Sequence, residues 1–492
     1  VVGGLFILVT LFIPLEGFAY IFFPLVLVMA FGPMIYSYAY YKKQIKEGKI
    51  SAEDIELTSA EKETGKKTWA IGIIIFAFAM VNYNTCLLPN GLRIIHKQLD
   101  SPVVYCGYEL NVGTRDEQKG EEGMAHLCEH VTFKGTTRRK AIDIIRYLEQ
   151  VGGDLNAYTN KEDTVYYAAV LGSHLPKAVD LLTDIVFHST YPQAEISKEI
   201  EVVCDEIESY NDSPAELIYD EFENIIFAGH DLGHSILGTV EQLRTYTSDS
   251  IKRFASRYYK PSNAVFFAYG NVDFNKLVRM LTRATSDFAD AKPNMEDCKL
   301  DGMARLPQYI PTKKVIDKGT HQAHVMIGTR TFSIHEEKRI ALYLLNNILG
   351  GPGMSARLNL ALRERRGLVY TVDSSMTSYS DTGAWSVYFG CDPHDISKCQ
   401  KLVMTELQRV AEKPLTPSQL STAKRQIKGQ IAIACDNRES YALDLGKSYL
   451  HYGWEKDIDR LFAQIDKLTA DDIQQVAKDV FAPEKLSVLV VK

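Results

Sequence analysis

The amino-acid sequence predicts an α+β fold: two related α/β domains, mainly antiparallel sheet with packed helices, preceded by a hydrophobic N-terminal membrane region. Three observations carry this prediction. Membrane-type composition is confined to the first 84 residues, strand-like and helical patterns alternate after them, and the second half of the chain repeats part of the first. A chain of 492 residues exceeds what one core organises, so two or three domains are expected. Hydrophobic residues make up 46% and charged residues 24%, a globular composition, and the net charge of -7 carries no nucleic-acid signature. Polynucleotide partners are therefore excluded. The eight cysteines form no C-x-x-C pair, which argues against both a thiolate zinc ribbon and a dense disulfide framework.

Residues 3–41 carry a single charge, Glu16. Residues 18–41 are long enough to span a bilayer. Tyr36, Tyr38, Tyr40 and Tyr41 stand where an interfacial aromatic cluster belongs, and Lys42, Lys43, Lys46 and Lys49 mark that end as cytoplasmic. The chain opens with valine and residues 1–14 are too short to span, so part of a first helix is expected upstream. A second apolar run, residues 69–83, has a length between a membrane span and a signal-peptide core. If it crosses, the 42–67 loop is cytoplasmic and everything after residue 85 lies outside; if not, the rest stays inside. The expected location is membrane-associated, or cytoplasmic or periplasmic if residues 1–82 are not part of the mature chain.

The expected organisation is a membrane-type region over 1–84 with a charged loop at 42–67, a first domain over 85–304 and a second over 315–492. "CLLPNGLRIIHKQ" and "PVVYCGYELNVGT" read as strands, the first broken by a Pro-Asn-Gly turn, and a strand pair is the simplest reading. Helical periodicity follows in "AIDIIRYLEQVGG", "LPKAVDLLTDIVFH" and "AEISKEIEVVCDEIESY". "TSDSIKRFASRYYKPSNAVFFAYG" from Thr247 resembles "TADDIQQVAKDVFAPEKLSVLVVK" from Thr469. Thr247 and Thr469, Ile251 and Ile473, Ala255 and Ala477, and Pro261 and Pro483 are each 222 residues apart. The boundary between the halves is expected near "ARLPQYIPTKK", residues 304–314.

"GMAHLCEHVTFKGT", residues 123–136, places His126, Glu129 and His130 on one side of a helix, because successive residues advance by about 100°. Two imidazoles one turn apart can hold zinc at about 2.1 Å, and a carboxylate on that side can take a proton from the metal's water without ligating. The order His-x-x-Glu-His is the inverted zincin pattern. Alone it also fits a polar stripe on a solvated helix, and a hydrolytic zinc needs a third protein ligand. "KEIEVVCDEIESY" puts Glu199 and Glu206 two turns apart on a second helix, a spacing that a solvated acidic face shares. The second half has no His-x-x-Glu-His at the matching place, so one chain offers one site.

These motifs together resemble the pitrilysin and insulinase family of inverted zincins, in its processing-peptidase-like, two-domain branch. In that family a glutamate follows the second histidine by some seventy-odd residues; here Glu206 follows His130 by 76, within "EIEVVCDE". The resemblance implies His126, His130 and Glu206 as ligands of one Zn2+ per chain, Glu129 as general base and Glu199 as a supporting acid. "GGDLNAYTNKEDTVYY" looks like the family's edge strand, on which a peptide adds through backbone hydrogen bonds around Asn156 and Ala157. Arg363 and Tyr370 in "LRERRGLVY" match the pair aimed at the substrate carbonyl, and "LGGPGMSARL" matches a glycine-rich loop.

The implied activity is that of a zinc endopeptidase acting on unfolded peptides, and the implied shape is half of a clamshell that dimerises with a like or related chain. A non-catalytic scaffold or peptide-binding subunit is the competing reading. Cys128 inside the motif reads either as an oxidation-sensitive thiol or as a small buried residue. The membrane-like N-terminus departs from the family pattern.

Overall fold

The computed structural model describes residues 83–293, 306–453 and 457–492. Residues 1–82 of the expected membrane region, 1–84, and residues 304–305 of the expected domain boundary lie outside the described residues; Asn84, the last residue of that expected region, already opens a strand. No helix among the described residues is long and apolar enough to cross a membrane.

Two sheets organise residues 83–492. The first contains β1 (Asn84–Leu87), β2 (Arg93–Gln98), β3 (Val103–Leu110), β4 (Asp154–Thr159), β5 (Thr164–Leu171) and β6 (Ala264–Gly270), in the order β1-β2-β6-β3-β5-β4. All neighbours are antiparallel except β2 and β6. The expected strand pair forms within the first run alone, where β1 folds back on β2 across Pro89, Asn90 and Gly91. β2 does not pair with β3, because β6 lies between them. Turn chemistry is local, whereas β6 arrives from far along the chain. The second sheet contains β7 (Lys313–Ile316), β8 (Ala323–Thr331), β9 (Val369–Ser378), β10 (Gly383–Cys391) and β11 (Ser487–Val491), in the order β7-β11-β8-β10-β9.

On one face of the first sheet pack α1 (Met124–Thr132), α2 (Ala141–Glu149), α3 (Leu175–His188), α4 (Gln193–Asn211) and α6 (Ser248–Tyr258), around a core that includes Ile94, Tyr108, Tyr166 and Phe266. The three helical periodicities correspond to α2, α3 and α4. The second sheet is covered likewise by α7 (Lys338–Gly350), α8 (Ile396–Glu412), α9 (Pro417–Ala434) and α11 (Ala470–Val480), around Trp385 and Phe389. The repeat is visible in detail. Thr247 and Thr469 cap α6 and α11 with the same side-chain bond to the third helical residue, and Pro261 and Pro483 each open the short turn that leads into β6 or β11.

The remaining two sheet faces are covered by exchange. α5 (Pro214–Ile226), from the first half, lays Ile218, Phe222 and Ile226 against Met326, Tyr388 and Leu489 of the second sheet. α10 (Arg438–Tyr452), from the second half, lays Tyr441, Ala442 and Leu445 against Ile95, Val265 and Phe267 of the first. Each half thus completes the other's sandwich.

One carboxyl group is trapped in this arrangement. Glu109 on β3 is fully buried under α10, and neither of its oxygens has a hydrogen-bond partner among the described residues. Burial pushes its pKa well above the usual carboxylate range; Asp163 and Asp444 add to the rise and Lys447 opposes it. The folded chain therefore keeps a proton that the unfolded chain releases near pH 4.3, about the ordinary value. Stability is lost as pH rises above that point, at up to about 1.4 kcal/mol per pH unit, until the folded group ionises too. Glu109→Gln cannot ionise, so its melting temperature should fall less between pH 5 and pH 8 than that of the wild type. Parallel thermal melts at the two pH values check this.

Candidate metal centre

α1 turns Leu127, Cys128, Val131 and Thr132 into the core, and this leaves His126 and His130 on its other side with side-chain exposures of 11% and 22%. Their ring centroids are 4.6 Å apart. α4 packs against α1 and brings Glu206 Oε2 to 3.9 Å from His126 Nε2 and 3.8 Å from His130 Nε2. One ligand atom from each of the three residues falls within 4.8 Å of the others, the one such group among the described residues. A tetrahedral zinc with bonds of about 2.1 Å spaces its ligand atoms by about 3.4 Å, so the two distances to Glu206, 3.9 and 3.8 Å, each exceed that spacing by about half an ångström or less. Glu206 Oε2 is buried between the two imidazoles with no hydrogen-bond partner among the described residues, an orphan that a cation there would satisfy. Burial, helped by the neighbouring His130, pushes the His126 pKa down to about 3. The ring is therefore neutral, as a ligand must be.

Glu199, one face of α4 away from solvent, takes a different place. Its Oε2 lies 3.3 Å from His130 Nδ1, the ring nitrogen turned away from Glu206, and its Oε1 pairs with Lys134 Nζ at 2.6 Å. A carboxylate on the second nitrogen fixes the tautomer and angle of such an imidazole. Glu129 is buried, and its Oε2 accepts a hydrogen bond of 3.0 Å from Thr159 Oγ1. Burial pushes the Glu129 carboxyl above its usual range, against the opposing effects of His130 and Thr159. Thr159 is the last residue of β4, the outermost strand of the first sheet, where Asn156 pairs with Tyr167 and Ala157 with Tyr166 while the outer backbone edge is unpaired within the sheet. The edge strand and the buried carboxylate are thus tied by one hydroxyl, a contact no local pattern in the sequence announced. Cys128 faces the core on the opposite side of α1, and burial pushes its thiol up to about 12, which makes it a packing residue and not a reactive one.

The sequence matches the profile described as "Insulinase (Peptidase family M16)" over residues 93–240 and that described as "Peptidase M16 inactive domain" over residues 245–427. It is 36% identical over 395 residues to an uncharacterized zinc protease of Streptomyces coelicolor, an alignment covering 80% of this chain and 86% of the relative. The chain belongs to the insulinase, or M16, peptidase family. An uncharacterized zinc protease of Bacillus subtilis is 31% identical over 408 residues, covering 82% of this M16 chain and 97% of its relative. Two solved structures share the fold. A protease from Helicobacter pylori superposes with a TM-score of 0.75 at 23% identity, covering 83% of this chain and 99% of that one. A peptidase M16 inactive domain from Pseudomonas fluorescens superposes with a TM-score of 0.76 at 18% identity, covering 84% and 98%.

In this M16 chain Arg363 and Tyr370 are not brought to the histidines. They line a separate cavity of about 690 Å³ in the second half, together with Gly350, Gly351 and Met354 of the glycine-rich loop. The Arg363 guanidinium lies 5.8 Å from the Tyr370 ring centre, and Tyr370 is 81% exposed. The neighbouring Arg365 and Arg366 are exposed. The 222-residue repeat puts Ile348, Gly351 and Pro352 where His126, Glu129 and His130 stand, so that offset carries no second set of ligands.

Proposed function

We propose that this protein is a zinc-dependent endopeptidase that hydrolyses unfolded peptide segments, with His126, His130 and Glu206 holding one Zn2+. The single observation that carries the reading is the convergence of two neutral-capable imidazoles and an orphaned carboxylate oxygen from separate helices. Zinc bound by those three residues would supply Lewis-acid polarisation of a peptide carbonyl and would lower the pKa of water to about 7. Glu129 is the general base: Thr159 holds one of its oxygens, so the other is left to take a proton from the attacking water and to return it to the leaving amine. Its burial strengthens it for that task. A peptide docks as an added strand on the free edge of β4, around Asn156 and Ala157, with its scissile bond carried toward Glu129 by the same strand.

Arg363 and Tyr370 serve a zinc site across a dimer, as paired donors for the developing oxyanion. Their place in a cavity apart from the histidines of the same chain supports that role. Membrane attachment rests on the sequence of residues 1–82, and the intact mass of the protein from cells tests it; a mature product starting near residue 80 removes that attachment. One observation favours a non-catalytic subunit, the match to a profile described as inactive. That match covers residues 245–427 and so bears on the second half, whereas every metal-site residue lies before it. Glu129→Gln is expected to keep its zinc and lose turnover of an unstructured peptide by about 10²–10⁴-fold. Unchanged turnover at equal zinc content overturns the base assignment.

A further inference from the structure

α1 begins without a capping side chain. Its first flanking residue is Gly123, at a left-handed φ of 84°, which offers no oxygen to the orphan amides of the first turn. The cap comes from upstream: Glu117 Oε2 accepts the Gly123 N–H at 3.0 Å, and Glu117 Oε1 accepts the Ala125 N–H at 2.7 Å. The same Oε2 lies 2.9 Å from His234 Nε2, and the Glu117 side chain is 1% exposed. The backbone oxygen of His234 in turn receives Lys161 Nζ from the turn between β4 and β5. The segments also touch backbone to backbone. A Cβ on Gly123 would stand 2.6 Å from the Leu237 oxygen, and one on Gly238 would stand 2.4 Å from the Glu122 oxygen, so both glycines are required for the approach.

We infer that Glu117, held by His234, is a positioning residue for the metal: it fixes the start of α1, and with it the placement of His126 relative to Glu206. The amide it grips belongs to Ala125, the residue next to His126. A carboxylate at a helix N-terminus also answers the positive end of the helix dipole, so the grip combines charge with two directional bonds. Among the described residues His126 Nδ1 has no hydrogen-bond partner, whereas His130 has Glu199. His126 therefore depends on its backbone for alignment where His130 depends on a side chain. This inference rests on the proposed zinc site and names what sets its affinity; groups that support metal ligands typically contribute ten- to a hundredfold in binding.

Three readouts test it on the full chain: zinc affinity by competition with a chromophoric chelator, the visible spectrum of the cobalt-substituted protein, and amide exchange of residues 123–127 in the metal-free protein. Glu117→Ala should weaken zinc by about ten- to a hundredfold, alter the cobalt bands at saturation and speed exchange at the first turn of α1. Glu117→Gln, which retains one acceptor oxygen, should recover part of each. A folded Glu117→Ala with wild-type zinc affinity and cobalt spectrum overturns the inference. If that variant does not fold, wild-type behaviour of Glu117→Gln or of His234→Gln in the same assays overturns it instead. Failure of the parent reading looks different, because the wild-type protein itself would then take up neither zinc nor cobalt.

Discussion

Glu206→Gln is expected to give up zinc to a chelator that leaves the wild type loaded, and to lose more than the ten- to hundredfold in affinity typical of supporting groups. The reason is charge and geometry together. An imidazole that ligates a metal carries no charge of its own, so Glu206 is the one anionic donor in the triangle of side chains, and its Oε2 is the atom that lies within 3.9 Å of a nitrogen of both rings. An amide oxygen in its place brings no charge. Since an ion at the proposed site would join α1 to α4, its loss should also be visible without any peptide assay. Metal bound at 1,000 times its dissociation constant stabilises the native chain by about 4 kcal/mol, so added zinc should raise the melting temperature of the wild type and not of Glu206→Gln. Glu208→Gln, on the exposed side of the same helix, should behave as the wild type. Equal zinc-dependent stabilisation of Glu206→Gln would mean that the ion, if bound, is held elsewhere.

The second large effect concerns stability. Arg115 ion-pairs with Glu162 in the first half and with Asp381 in the turn between β9 and β10 of the second, with all three side chains 12% exposed or less. Its Nη1 also donates to Ser380 Oγ at 2.9 Å, and the Ser380 N–H donates to Glu162 at 3.1 Å. Removing one partner of such a buried pair strands the others, at a cost of about 3–5 kcal/mol. Arg115→Ala should therefore unfold at a clearly lower temperature. The double change Arg115→Met with Asp381→Leu should regain part of the loss, because two apolar side chains leave less unpaired charge behind. Burial disfavours the Asp381 carboxylate, but His230 and Arg115 outweigh it and hold its pKa below the usual range. Such a depressed group stabilises above its unfolded pKa and ceases to do so as pH falls through the folded value. Arg115→Ala should accordingly show a shallower loss of stability on acidification below pH 4. If acid titrations of the two proteins run parallel, Asp381 is not held by this arginine.

Much of the candidate site was legible because its signals are local. The helical period alone places His126, Glu129 and His130 on one side, and the two-turn spacing alone puts Glu199 and Glu206 on one face of α4. The division of labour between those two glutamates was not visible in spacing. The crossing of α4 over α1 brings Glu206 to the outward ring nitrogens of both histidines, while Glu199, two turns earlier on α4, meets the inward nitrogen of His130. Glu117 and Thr159 were not legible for a related reason. Glu117 sits in a polar stretch where its partners are backbone amides, and Thr159 ends a strand whose periodicity says nothing of the helix beside it.

By itself the sequence determined the two α/β halves, their repeat, the helices that carry the imidazoles and carboxylates, and the absence of a second His-x-x-Glu-His at the repeat's offset. Those are properties of periods and intervals along one chain. Only the tertiary structure decided that β6 enters between β2 and β3, that α5 and α10 change places to cover each other's sheets, and that Arg363 and Tyr370 stand apart from the histidines. The physical reason is that an amphipathic helix records how much apolar surface it must bury, and not against which sheet. That choice is made by the contacts between segments far apart in the chain.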